Sequence, residues 1–256
     1  MTNARPFMQM RQDERGFSVF ELMVTIAIFT VIMAVMFEQI DHAERASTTE
    51  RTRLDIFQEA RAFMDLMARD LHEAGYPSPR SFGPGVLTLN PLLPRSPYAA
   101  DSRVAVGLTR IDSGDLWFEG DVDGNGTVAV VQYRLDTVGN NCPCLRRSQQ
   151  PKASVAPLSQ VPAYQVEVQN VKNGTTQDPI FFAFSHGSTG TPLTLPIDFD
   201  SDPAALTSID AIKVMLTVES TVADPKTLLK PINTLISTVR LNNCSSATSG
   251  QYMSCQ

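Results

Sequence analysis

Glu21 is the only charged side chain between Phe17 and Phe37, a stretch of 21 residues. A carboxylate near the centre of a bilayer span costs roughly 2.5–3.5 kcal/mol even on lenient insertion scales, so a glutamate in such a stretch implies a partner. A first-turn glutamate is also favoured by the helix dipole, by about 0.3–1 kcal/mol, and the two effects are compatible. A second group with ligand chemistry is Asp121-Val122-Asp123-Gly124-Asn125-Gly126-Thr127. It copies the first half of a calcium loop, with oxygen ligands at positions 1, 3 and 5 and glycine at 6. If calcium binds, Asp121, Asp123 and Asn125 supply the side-chain oxygens. Position 12 is Gln132 rather than a bidentate glutamate. The same residues also read as a tight turn joining two strands. The three histidines are His42, His72 and His186, and none has a nucleophile nearby in sequence. Gly-x-Ser-x-Gly, His-Glu-x-x-His and Gly-x-x-x-x-Gly-Lys are all missing, so no enzymatic activity and no obligatory cofactor is expected.

The element that carries Glu21 begins at Arg15-Gly16-Phe17-Ser18-Val19-Phe20-Glu21-Leu22 and stays apolar to Phe37. As a helix it is long enough to cross a bilayer. An ordinary secretory signal has a shorter apolar core and a small-x-small cleavage site, whereas Glu38-Gln39-Ile40-Asp41 follows here. An uncleaved signal anchor accounts for the length but for neither the Gly16-Phe17 junction nor Glu21. Arg5, Arg11 and Arg15 precede the span and only Arg45 lies close after it. The positive-inside rule then puts the leader in the cytoplasm and the rest of the chain outside.

These residues together resemble the type IV prepilin signal: a short charged leader, a glycine, a phenylalanine at the new N-terminus and a glutamate at the fifth mature position. The resemblance implies cleavage by a prepilin peptidase between Gly16 and Phe17, methylation of the freed amine, and a helix that anchors the subunit before entering a filament. Phe17 and Glu21 are four apart and share a helix face, and in this family the glutamate is thought to meet the N-terminal amine of a neighbouring subunit. The implied partners are other major and minor pilins through the N-terminal helix, the inner-membrane assembly platform, and membrane lipid before assembly. The implied location is the inner membrane, single-pass, with a periplasmic C-terminal domain, and then an extracellular filament.

Beyond the span, Leu54, Phe57, Ala60, Met64, Met67, Leu71 and Ala74 recur at intervals of three and four, a helical period. Gly75-Tyr76-Pro77 ends it. One helix from Phe17 to Ala74 would be roughly 87 Å long, with room for a bend in Ala46–Arg53, where weak helix formers cluster. Residues 77–100 read as a connecting loop. Strand-like runs follow at Arg103–Thr109, Leu116–Gly120, Thr127–Leu135, Tyr164–Val171, Ile180–Ser185, Ile209–Glu219 and Thr234–Leu241, several alternating as antiparallel strands do. The expected class is α+β: a long N-terminal helix packed on an antiparallel sheet, as in the pilin fold. The expected parts are a leader (1–16), a transmembrane or filament-core helix (17–37), its amphipathic continuation (38–75) and a β domain (76–256). The helix end Ala60–Tyr76, with its Ala-Gly-Tyr close, and Ser237–Asn243 are similar to PilW-type minor pilins, and also to the J-type minor pseudopilin of type II secretion.

Cys142, Cys144, Cys244 and Cys255 all lie on the side expected to be outside, where disulfides form. Three connectivities are open. Cys244–Cys255 closes a small polar loop, while Cys142–Cys144 makes a small, strained ring. A metal site is the rival reading, although C-x-C is not a usual zinc spacing. A net charge of −6 and a pI near 5.1 argue against nucleic-acid binding. The leading expectation is a minor pilin acting in assembly, priming or the tip of a type IV pilus. The alternatives are a minor pseudopilin of type II secretion and a tip adhesin or DNA-uptake pilin. Arg146-Arg147 with Lys152 is the one basic cluster that uptake could use, and such a short cluster is ordinarily a solvated face.

Overall fold

A computed structural model describes residues 18–87, 98–139, 142–185, 190–224 and 227–241. The chain divides into two compact units, residues 1–48 and 49–256. The first helix, α1 (Val19–His72), is unbroken through Ala46–Arg53. There the Thr48 hydroxyl folds back onto the Glu44 carbonyl, and Glu50 pairs with Arg53 one turn on. The first-unit part of α1 is exposed almost throughout. In its apolar stretch Thr25 and Thr30 return their hydroxyls to helix carbonyls three or four residues back, so neither leaves an unmet donor on the apolar surface.

In the second unit, α1 buries Ala60, Phe63, Met64, Met67, Asp70 and Leu71. The expected stripe is present, displaced slightly: Leu54 is exposed, while Phe63 and Asp70 join the buried face. The helix stops at His72, two residues before the expected end, because Ala74 leaves it to form a β-bridge with Gly120. Gly75 takes φ +83°, the left-handed conformation that terminates helices.

The strands are β1 (Leu108–Ile111), β2 (Asp115–Gly120), β3 (Ala129–Asp136), β4 (Cys144–Pro151), β5 (Gln165–Gln169), β6 (Phe181–Ser185), β7 (Ile197–Asp198), β8 (Ile209–Glu219) and β9 (Ile232–Arg240). Short helices α2 (Asn173–Thr176) and α3 (Pro203–Ser208) follow β5 and β7 respectively. The class is α+β, a pilin-like arrangement of a long N-terminal helix with antiparallel sheets. Instead of one sheet there are two among the described residues: six strands ordered β5-β4-β3-β2-β1-β7, and three ordered β6-β8-β9. The expected run Tyr164–Val171 is shared between them. Asn170 turns at φ +55°, after which Val171 bridges to Val218 of β8 and Lys172 donates to the Thr217 carbonyl.

β4 has no counterpart among the expected strands, since Cys-Leu-Arg-Arg-Ser-Gln-Gln-Pro shows no apolar alternation. The run expected at Arg103–Thr109 enters the ladder only from Leu108. Before it, Val104, Ala105 and Val106 are buried ahead of the strand, Ala105 donating to the Pro77 carbonyl and Val106 to a Glu119 carboxylate oxygen. One core joins the α1 stripe to both sheets, including Phe118, Val131 and Tyr133 from the larger and Ile212, Val214 and Leu216 from the smaller.

Candidate functional site

The candidate residues fall on α1 and on the strands beneath its second-unit part. Gly16 and Phe17 lie outside the described residues. Glu21 is in the first turn of α1, exposed, and its carboxylate has no partner among the described residues. Around it Val19, Phe20, Leu22 and Met23 are all exposed, and so are Phe29 and Phe37 further on. An apolar surface of this size on a single helix is unstable in water and calls for lipid or other helices.

The helix end is fastened to β2 by backbone. Gly75 donates to the Glu119 carbonyl at 2.8 Å, and Asp121 donates to the Tyr76 carbonyl at 2.8 Å. Gly120 must be glycine for lack of space: a Cβ there would sit 2.4 Å from the Glu73 carbonyl oxygen. This contact gives the Ala74-Gly75-Tyr76 close its physical role.

One turn earlier lies a buried polar cluster that the sequence reading missed. Asp70, 1% exposed, receives the Tyr133 hydroxyl at 2.6 Å and the Arg147 guanidinium at 2.6 and 2.9 Å. Phe63 meets the Tyr133 ring edge-on at 5.6 Å. Burial, with the Asp70 charge beside it, pushes the Tyr133 phenol well above its usual range. A buried carboxylate left without its cation is strongly destabilising, so the cluster ties α1 to β3 and β4. The available signal was position: Asp70 follows Phe63 by seven and Met67 by three, which puts it in the apolar stripe.

A second buried pair sits at the end of β2. Lys152 meets Glu119 at 2.7 Å, both side chains 1% exposed, and also donates to the Val104 carbonyl. Burial pushes the Glu119 carboxyl above its usual range, with the Lys152 charge opposing. Arg146 pairs with Asp136 at 2.9 Å. The three cations expected as a solvated basic face are thus each committed to a carboxylate, buried for Arg147 and Lys152 and partly exposed for Arg146. The reason is that β4 crosses beside acidic residues contributed by α1, β2 and β3.

Asp121, Asp123 and Asn125 form the turn between β2 and β3. Asp121 accepts from the amides of Asn125 and Gly126, Asn125 from that of Thr127, and Asp123 from the Gln149 side chain. Gln132, the twelfth position, is buried on β3 and accepts from the Tyr164 hydroxyl. Among the described residues, no group of three His, Cys, Asp or Glu side chains is arranged to hold a metal. Cys142 and Cys144 form a disulfide with each other; Cys244, Cys255 and His186 lie outside the described residues. His42 and His72 are exposed on α1.

Compared with known proteins, residues 11–37 match a family model described as the prokaryotic N-terminal methylation motif. No significant match is found among curated proteins or solved structures. The motif and the apolar helix that begins within it support a type IV pilin-like protein, membrane-anchored and associated with a pilus or pseudopilus machinery.

Proposed function

We propose that this chain is a minor type IV pilin. Its leader, residues 1–16, is removed between Gly16 and Phe17, the Phe17 amine is methylated, and residues 17–37 anchor the subunit in the inner membrane before it joins a filament. The observation that carries this reading is the methylation motif at residues 11–37 running into a helix whose first part exposes apolar side chains throughout. Packing of the apolar residues from Leu22 to Phe37 against neighbouring helices holds the filament together. Pairing of Glu21 with a neighbour's Phe17 amine satisfies the carboxylate and sets axial register. The C-terminal unit faces the periplasm and carries no reaction. Its size, with nine strands in two sheets among the described residues, supports a minor subunit in a tip or priming complex. The partners are other pilins, the prepilin peptidase and the inner-membrane platform. A minor pseudopilin shares the whole N-terminal argument and differs in the machine it joins.

The test is intact-mass and N-terminal peptide analysis of the protein recovered from its own membranes. A chain beginning at methylated Phe17 is expected. One that retains Met1, or is cut well after Phe37, removes the basis for a filament. Glu21→Ala is expected to insert normally yet be depleted from purified filaments, and normal incorporation would defeat the register role.

A further inference from the structure

A disulfide that holds a fold together constrains distant segments of the unfolded chain, and its effect grows with the loop it closes. Cys142 and Cys144 are separated by a single residue, Pro143, so their bond closes almost no loop. The backbone around it is held by other means. Cys144, the first residue of β4, pairs with Asp136 of β3 on one side and with Gln169 of β5 on the other. The Pro143 carbonyl accepts from the Val171 amide at 2.9 Å. The bond therefore adds little constraint that the ladder does not already supply.

Its two sulfurs sit in different surroundings. Cys144 is fully buried, and Cys142 only partly so. Gly139 brings no side chain beside Cys142, where a Cβ would lie 3.9 Å from the sulfur. Arg146 directs Nη2 of its guanidinium to the Cys142 Sγ at 3.8 Å, while its Nε pairs with Asp136 at 2.9 Å. Asp136 is shared with Arg134, at 3.2 Å. A thiolate formed on Cys142 would thus have a guanidinium beside it and a path to solvent, the setting in which cysteines react. Cys144 has neither the exposure nor the cation.

We propose that Cys142–Cys144 is a redox modification site, opened and closed in the folded chain by a small-molecule thiol that exchanges at Cys142. A thiolate attacks the Cys142 sulfur. A new S–S bond forms there, the Cys142–Cys144 bond breaks, and its electron pair leaves on Cys144, which takes up a proton. A second thiolate then attacks the small-molecule sulfur of the mixed disulfide and frees Cys142 as a thiolate beside Arg146. The pair is reduced by two electrons, and two small thiols are oxidised to one disulfide. The chain is the substrate of this exchange and not its catalyst, and the inference does not depend on the filament reading.

The test uses the full chain in detergent micelles, equilibrated with reduced and oxidised glutathione, quenched, alkylated and mapped by peptide mass so that Cys244 and Cys255 are counted separately. The Cys142–Cys144 pair should open and re-close as the glutathione ratio is changed, with amide protection of β4 retained. Cys144→Ser should hold glutathione on Cys142 as a stable mixed disulfide, whereas in Cys142→Ser the buried Cys144 should stay unmodified. In the Cys144→Ser chain, adding Arg146→Gln should slow iodoacetamide labelling of Cys142 at neutral pH about threefold, and Arg146→Lys should slow it less; β4 protection checks that both variants fold. A pair that opens only when the chain unfolds, reduction that strips β4 of its protection, or glutathione recovered on Cys144 would overturn the proposal. Labelling of Cys142 that is indifferent to Arg146→Gln would equally overturn it.

Discussion

The two parts of α1 have the same backbone and opposite relations to the rest of the chain. Residues 19–37 are apolar but for Glu21 and residues 19–48 bury almost nothing within the protein, whereas residues 49–72 are rich in charge and bury a stripe against two sheets. Helix formation is therefore not what distinguishes them. The first part has the hydrophobicity of a core with the core missing, so its partner is external. The second part finds its partner in its own chain, and even its buried charge, Asp70, is answered by Arg147 and Tyr133. Folding of the sheet unit and use of the N-terminal span should accordingly be separable by mutation.

The sharpest break is expected at the buried charges. Arg147→Ala leaves Asp70 buried with only a phenol to serve it, a loss of about 3–5 kcal/mol. Denaturant unfolding of the full chain in detergent, followed by its single tryptophan, Trp117, reads this directly. Lys152→Met should cost a comparable amount at neutral pH, with a distinctive pH dependence. Burial already raises the Glu119 carboxyl above 4.5, and the variant removes the charge that opposes it. A carboxyl raised in the folded state binds its proton more tightly there. The variant should therefore be most stable below about pH 4.5 and lose stability as pH rises through the folded value. Melting curves across that range that show the opposite slope would contradict this account of the pair.

Gly120→Ala tests the backbone seat of the helix end. Overpacking against the Glu73 carbonyl should destabilise by about 1–3 kcal/mol and speed amide exchange at Gly75, whose amide bonds to Glu119. The smallest effect sharpens the contrast. Ile28→Ala, in the exposed apolar part, should change unfolding of the sheet unit by less than about 0.5 kcal/mol. A large loss there would mean the two parts of the helix are not energetically separate.

Legibility differed in the same way along the chain. The helix, its stop at Gly75 and most long strands were readable because periodicity and turn residues are local signals. β4 was not, because its charged residues Arg146 and Arg147 are held by ion pairs to β3 and α1 rather than by apolar alternation. In the calcium-like loop the oxygens of Asp121, Asp123 and Asn125 accept from backbone amides and the Gln149 side chain, contacts that the spacing alone did not give. The basic cluster Arg146, Arg147 and Lys152 looked solvated for the same reason that β4 was missed, since the answering carboxylates lie between 10 and 77 residues away in sequence.

By itself the sequence determined the membrane-length helix, the basic residues ahead of it, the lone Glu21 and the α+β class, since each depends on residue type and short-range spacing. Tertiary structure alone decided that there are two sheets, that Asp70 and Lys152 are buried and answered, and that Gly120 receives the helix end. It also decided that β9, nine residues long, pairs on one side only among the described residues. These depend on which distant segments meet, and pairing across the chain is set by packing and desolvation that no local pattern encodes.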